Sequence, residues 1–206
     1  MRQNLLADII TSKARIKILT LFFTHPNEMF FVRQITREIN EEINAVRREL
    51  NRLSQAKILH SQQRANRLFY FLNPKHPLYS QLQSIIAKTT GLGLSIYRHR
   101  KRLGQIKYAF ISRRLLDHQP YTNKLVDVGF IGQLILPEVS ALISKYEKIL
   151  DREINYTILT LKELRLLTQK RDPFTLRLLI EPKVMIIGDN KELVNDAFLQ
   201  KASQSR

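Results

Sequence analysis

The hydrophobic pattern begins with a helical period. After Ser12, a side chain suited to capping a helix N-terminus, apolar residues Ile16, Leu19, Phe22 and Phe23 recur at helical spacing. His25-Pro26-Asn27 ends that helix. The apolar stretch Met29-Phe30-Phe31-Val32 leads into a second helix over 33–39. Asn40 follows, and asparagine tolerates the left-handed backbone of a tight inter-helix turn. A third helix is predicted over about 43–56, with Ile43, Val46, Leu50 and Leu53 forming one apolar stripe. At about 100° per residue, Asn44, Arg48, Asn51, Arg52 and Gln55 fall opposite the stripe, and Arg47 lies on its flank. Two strand-like runs, 58–61 and 68–72, then flank a polar, basic hairpin over 62–67. Asn73-Pro74 closes a module ordered helix, helix, helix, hairpin.

The pattern changes further on. A largely helical stretch runs over 77–102, interrupted near Gly91-Leu92-Gly93 and ending in Arg98-His99-Arg100-Lys101-Arg102. Strands are predicted over 106–111, 125–131, 154–159 and 183–187. Helices are predicted over 137–150, with Pro137 in the first turn, over 161–179 with a break at Asp172-Pro173, and at the C-terminus. The expected class is α+β. Three parts are expected: a helix-turn-helix with a hairpin over 1–75, a helical connector over 76–104, and a small α/β domain over 105–206. There is no internal repeat or low-complexity tract.

Charge narrows the partner. The chain of 206 residues carries 34 Lys and Arg against 18 Asp and Glu, a formal net charge of +16. The excess is uneven: residues 1–105 hold 18 basic and 6 acidic residues, and residues 106–206 hold 16 and 12. Such a balance implies a polyanionic partner that meets the N-terminal half. Cysteine is absent, which excludes a disulfide scaffold and a thiolate metal site. No apolar run approaches the ~20 residues of a membrane span. The first residues lack an uninterrupted apolar region and a cleavage site, so a cytoplasmic protein with no membrane partner is expected.

The third helix has the side chains that read a major groove. Arginine makes paired hydrogen bonds to guanine, and asparagine does so to adenine. Asn44, Arg48, Asn51 and Arg52 are therefore the candidate base-reading set, with Arg47 on the flank as a further DNA-binding residue. Arg33, Gln34 and Arg37 on the preceding helix would brace phosphates. Arg64, Asn66 and Arg67 would form a wing touching backbone or minor groove.

The segment FVRQITREINEEINAVRRELNRLSQAKIL, with the hairpin and FYFLNPKHPLY after it, resembles the winged helix-turn-helix of ArsR-like transcriptional regulators. It is similar to the group fused to a C-terminal nucleotidyltransferase-like domain, and REINYTILT and EPKVMIIGD fit the same group. The resemblance implies a Gly-Ser turn after that domain's first strand and an Asp-x-Asp pair at the start of the next, where Mg²⁺ would bridge nucleotide phosphates. This sequence departs from both. Arg113 and Arg114 stand at the turn, Leu125 and Asp127 at the pair, and Asn155 where a third carboxylate is expected. Catalysis and a cofactor are therefore not expected. Asp127 is expected as a strand-end residue satisfied by backbone N–H groups. Arg113 and Arg114 are expected in a solvated loop or, alternatively, as a site for an anion.

The five histidines (His25, His60, His76, His99, His118) show no metal spacing, and no Walker or Rossmann phosphate loop or nucleophile turn is present. The expected function is a sequence-specific regulator binding double-stranded DNA, with the second domain serving dimerisation, a protein partner or a ligand. The alternatives are an antitoxin-like protein or a residual nucleotidyltransferase. A homodimer is the expected assembly, since two half-sites multiply affinity.

Overall fold

In the computed structural model, which describes residues 6–199, Ser12 Oγ accepts the Arg15 N–H at 3.3 Å and caps helix α1 (Lys13–Thr24). Strand β1 (Phe30–Phe31) follows, then α2 (Val32–Ile39), which ends at Asn40 with φ +47°. That left-handed residue turns the chain into α3 (Ile43–Gln55). Strands β2 (Leu59–Arg64) and β3 (Arg67–Leu72) complete an antiparallel sheet of order β1-β3-β2. Helix α4 (Tyr79–Thr89) adds Tyr79, Leu82 and Ile86 to the core formed by Ile18, Phe22, Ile35, Val46, Leu50 and Leu59. Phe22 meets Phe30 edge-on at 5.4 Å, which ties α1 to the sheet.

The hairpin differs from expectation. Its strands run to Arg64 and resume at Arg67, and these two residues pair with each other. The expected loop over 62–67 is thus a two-residue turn, Ala65-Asn66, the length whose twist suits a tight hairpin. Ala65 sits at φ +49°, where a Cβ costs roughly 1–2 kcal/mol. Ala65→Gly is therefore expected to raise stability by about 1 kcal/mol in urea unfolding; a loss of stability would show that the turn is not strained.

The described chain is mixed α+β, with ten helices and two small sheets. It divides into two units. The first runs to Thr90 and includes Leu116–His118; the second comprises Gly91–Leu115 and continues from Gln119. The stretch expected as a connector is thus two helices: α4 joins the first core, and α5 (Gly91–Leu103) belongs to the second unit.

In the second unit, α5 leads into β4 (Gly104–Ser112), followed by α6 (Arg113–Leu116), β5 (Val128–Leu134), α7 (Leu136–Leu150) and β6 (Tyr156–Leu159). Then come α8 (Leu161–Gln169), α9 (Pro173–Ile180), β7 (Lys183–Ile187) and α10 (Asn190–Phe198). The sheet order is β6-β5-β4-β7, with β5 and β6 parallel and the other pairs antiparallel. The central strand β4 is buried on both faces: Tyr108 and Phe110 join Leu164, Leu178, Leu179 and Leu193 in one cluster, and Ala109 and Ile111 are covered as well. The break before Pro173 is as the sequence predicts, and Asp172 caps the new helix by accepting from Thr175 N–H at 2.8 Å. Strand β5 begins three residues later than expected, because the Leu125 carbonyl accepts from the Asn155 side chain (2.7 Å) rather than from a neighbouring strand. Strand β6 likewise begins at Tyr156, since the Ile154 N–H is held by the Glu147 carboxylate at 3.0 Å. No helix among the described residues is long and apolar enough to cross a membrane.

Candidate nucleic-acid interface

Helix α3 buries Val46, Leu50 and Leu53 and turns Asn44, Arg47, Arg48, Asn51 and Arg52 to solvent. All five of the DNA-binding residues expected on this helix are therefore exposed. Their freedom differs. Arg47 and Arg48 form no hydrogen bond or ion pair with any described residue, and the Asn44 and Asn51 side chains are likewise uncommitted. Arg52 is held by the Glu49 carboxylate at 3.1 Å, so only part of its guanidinium faces outward.

Glu49 is the residue that the apolar stripe did not reveal. It is 5% exposed and lies on the buried side of α3. Its carboxylate accepts from Arg15 Nε at 2.7 Å, Ser12 Oγ at 2.9 Å and Arg52 Nη1 at 3.1 Å, which fastens α3 to the start of α1. Burial alone would push its pKa up; the hydrogen bonds from Arg15 and Ser12, with the charges of Arg15 and Arg52, outweigh burial and hold it below the ordinary value. A carboxylate depressed in the folded state stabilises above its unfolded pKa of about 4.3 and loses that contribution as pH falls through the folded value. Acidification below about pH 4.3 is thus expected to loosen α1 against α3 in hydrogen exchange. Glu49→Gln should remove that pH dependence and cost about 1–3 kcal/mol at neutral pH; an unaltered acid response in the variant would show that Glu49 is not the titrating group.

The remaining acids of this region are also committed. Glu41 pairs with Lys17 at 2.8 Å and Lys13 at 3.5 Å. Glu42 caps α3, accepting the Asn44 and Ala45 N–H groups at 2.8 Å each, and those bonds lower its pKa. Glu38 lies 3.9 Å from Arg37. Glu41 and Glu49 thus neutralise α1, Glu42 meets the start of α3, Glu38 lies beside Arg37 and Glu49 also holds Arg52, which leaves Arg47, Arg48 and exposed Arg33 without an ion-pair partner among the described residues.

At the hairpin tip, Arg64 and Arg67 stand directly opposite each other, an arrangement that like charges resist. Arg64 is drawn back onto the Gln62 side chain at 3.2 Å, and the Arg67 guanidinium lies over the Phe31 ring, 4.7 Å from its centre. Asn66 occupies the turn between them and is exposed. An anion at the tip would relieve the repulsion.

The second unit places the turn after β4 beside the start of β5: the Ser112 N–H donates to the Asp127 carbonyl at 2.8 Å. Arg113 and Arg114 do not form the expected solvated loop. They open the short helix α6, whose Leu115 N–H is capped by Ser112 Oγ at 3.2 Å. Arg114 Nη2 donates to the Pro120 carbonyl at 3.0 Å. Asp127 is 0% exposed. Its Oδ2 accepts from Arg152 Nη2 at 3.0 Å and from the Asn155 N–H at 3.2 Å. The expected set of backbone N–H donors is thus reduced to one, with a guanidinium beside it, and Oδ1 accepts no hydrogen bond from the described residues. The Asn155 amide donates to the Leu125 and Asn123 carbonyls, a role a carboxylate in its place cannot fill. Mg²⁺ requires several converging oxygens, and here one carboxylate already faces an arginine, beside an apolar Leu125. These residues do not fit the ion, and no group of three or more His, Asp or Glu suited to a metal occurs among the described residues.

No family model matches the chain, and no curated protein matches it. Among solved structures, reduced HlyU from Vibrio cholerae is similar over 45% of this chain and 82% of its own length, at 15% identity and a TM-score of 0.31.

Proposed function

We propose that the first unit is a winged helix-turn-helix that binds duplex DNA sequence-specifically and that the protein is a transcriptional regulator. The observation that carries this is the outer face of α3: Asn44, Arg47, Arg48 and Asn51 are exposed and make no side-chain hydrogen bond or ion pair with any described residue, while Glu41 is held by Lys17, Glu42 by the start of α3, and Glu49 by Arg15 and Arg52. Helix α3 would lie in the major groove, α2 would set Arg33 and Arg37 against phosphates, and the hairpin would bring Arg64, Asn66 and Arg67 to the backbone. A homodimer would present two such units to two half-sites.

For the second unit we propose a nucleotidyltransferase-like domain that has lost its chemistry and serves dimerisation, a protein partner or a ligand at Arg113 and Arg114. The turn after β4 lies beside the start of β5, the placement that such a turn and carboxylate pair need, and this supports that kinship. Arg152 on Asp127, with Leu125 and Asn155 at the other two positions, supports the loss.

Titrating the full chain against labelled duplex over a salt series tests the first proposal. Affinity should fall steeply with salt, at about 0.9 log units per log unit of salt for each neutralised phosphate. Arg64→Ala should reduce that slope by about 1 without changing sequence preference. A flat salt dependence would contradict duplex binding.

A further inference from the structure

The outer side of the first unit's sheet has aromatic chemistry that neither the core nor the duplex interface uses. Register places Phe31 opposite Phe69 and His60 opposite Phe71. Paired residues share a face, so these four lie together with the tip arginines, on the side away from buried Phe30, Leu59, Tyr70 and Leu72. Phe31, Phe69 and Phe71 are half-buried and lie outside the core cluster. Phe31 meets Phe69 edge-on at 5.6 Å, His60 tilts over Phe71 at 5.6 Å, and the Arg67 guanidinium covers Phe31.

Keeping three phenyl rings on the solvent side of a small sheet leaves apolar area in water. No acidic residue occupies β1, β2 or β3. The rim is cationic, from Arg64 and Arg67, and two of the rings already carry a planar group, a guanidinium and an imidazole, of the kind that stacks between bases. A second copy of the chain would bring the same cationic rim against itself, which charge opposes.

We propose that this face is a stacking platform for the unpaired bases of single-stranded nucleic acid, with Phe31, Phe69 and Phe71 as the stacking surfaces and Arg67 and His60 closing over the bases. Ring stacking is tolerant of sequence, because every base has a π-face, and the cations beside it hold the strand's phosphates. The platform shares the tip arginines with the hairpin proposed to meet duplex, but its rings stand apart from the outer face of α3, so substitutions at the rings and on α3 separate the two.

The test is fluorescence anisotropy of the full chain with a short labelled single-stranded DNA of mixed sequence and, in parallel, a labelled duplex. Phe69→Leu with Phe71→Leu keeps an apolar side chain at each half-buried position and removes the stacking faces. Single-strand affinity is expected to fall roughly tenfold, with duplex affinity unchanged and the fold retained at the assay temperature, the lost ring contacts lowering the melting temperature by only a few degrees. Arg48→Ala with Asn51→Ala should leave single-strand affinity intact. The chain has no tryptophan, so Phe71→Trp adds a single indole whose fluorescence a stacked base should quench. Wild-type single-strand affinity in the leucine variant, no binding by the wild type, or no indole quenching would each overturn the proposal. A leucine variant that changed only oligomeric state would overturn it too, by assigning the face to self-association.

Discussion

Arg152→Met is expected to destabilise the second unit by about 4–5 kcal/mol, and Asp127→Asn by about 3 kcal/mol. The asymmetry follows from what each substitution leaves behind. Without Arg152, a carboxylate that is 0% exposed has lost its cation and keeps one backbone donor. Without Asp127, a guanidinium whose side chain is 17% exposed still donates to the Gln119 and Glu153 carbonyls and reaches water. Urea unfolding of the two single variants and the double variant measures this directly. The double variant should be more stable than the sum of the single losses predicts, since neither charge is then stranded. Equal, small losses below about 1 kcal/mol would mean that the pair behaves as an exposed ion pair. The same chemistry predicts that Mg²⁺ leaves the melting temperature of the wild type unchanged; a marked rise that Asp127→Asn abolished would restore the metal site that the arginine excludes.

Arg48→Ala with Asn51→Ala should weaken specific duplex binding by at least tenfold. Each good paired contact to a base edge discriminates by about 1–3 kcal/mol, so losing both costs about 2–6 kcal/mol, from roughly thirtyfold to more than about ten-thousandfold. These two residues make a cleaner test than Arg52. Arg52 also neutralises Glu49, so its loss would mix a binding effect with a weaker tie between α3 and α1. The Arg48 and Asn51 side chains make no hydrogen bond or ion pair within the described residues, and their removal should leave the unfolding free energy within about 0.5 kcal/mol of wild type. Non-specific binding should persist, because Arg33, Arg37 and Arg64 still face solvent.

Local signals in the chain were the legible ones. Ser12 as a cap, Asn40 as a left-handed turn and the period of Val46, Leu50 and Leu53 act within a few residues, and each appears in the fold. The outward face of α3 followed from the same period. The features that stayed hidden depend on partners far apart in sequence. Glu49 sits on the buried stripe between Val46 and Leu53, yet its role rests on Arg15 and Ser12, more than thirty residues away. Asp127 and Arg152 are 25 residues apart, and nothing local marks them as a pair. The hairpin was underestimated for a different reason. Beyond the core, Gln62, Gln63 and Arg64 are exposed on both faces, so the strand loses the alternation that identifies it. The outer face of the sheet is not legible in the sequence, because Phe69 and Phe71 have the pattern of ordinary strand residues and only the register sets them beside Phe31 and His60.

The most direct test of duplex recognition through α3 is selection from a random pool of double-stranded DNA, run in parallel with the wild type and with Arg48→Ala plus Asn51→Ala. The wild type should enrich a defined motif, as a pair of inverted half-sites if it binds as a dimer, and the variant should enrich none or a relaxed one. An identical motif from both proteins, or none from the wild type, would contradict base reading by the outer face of α3.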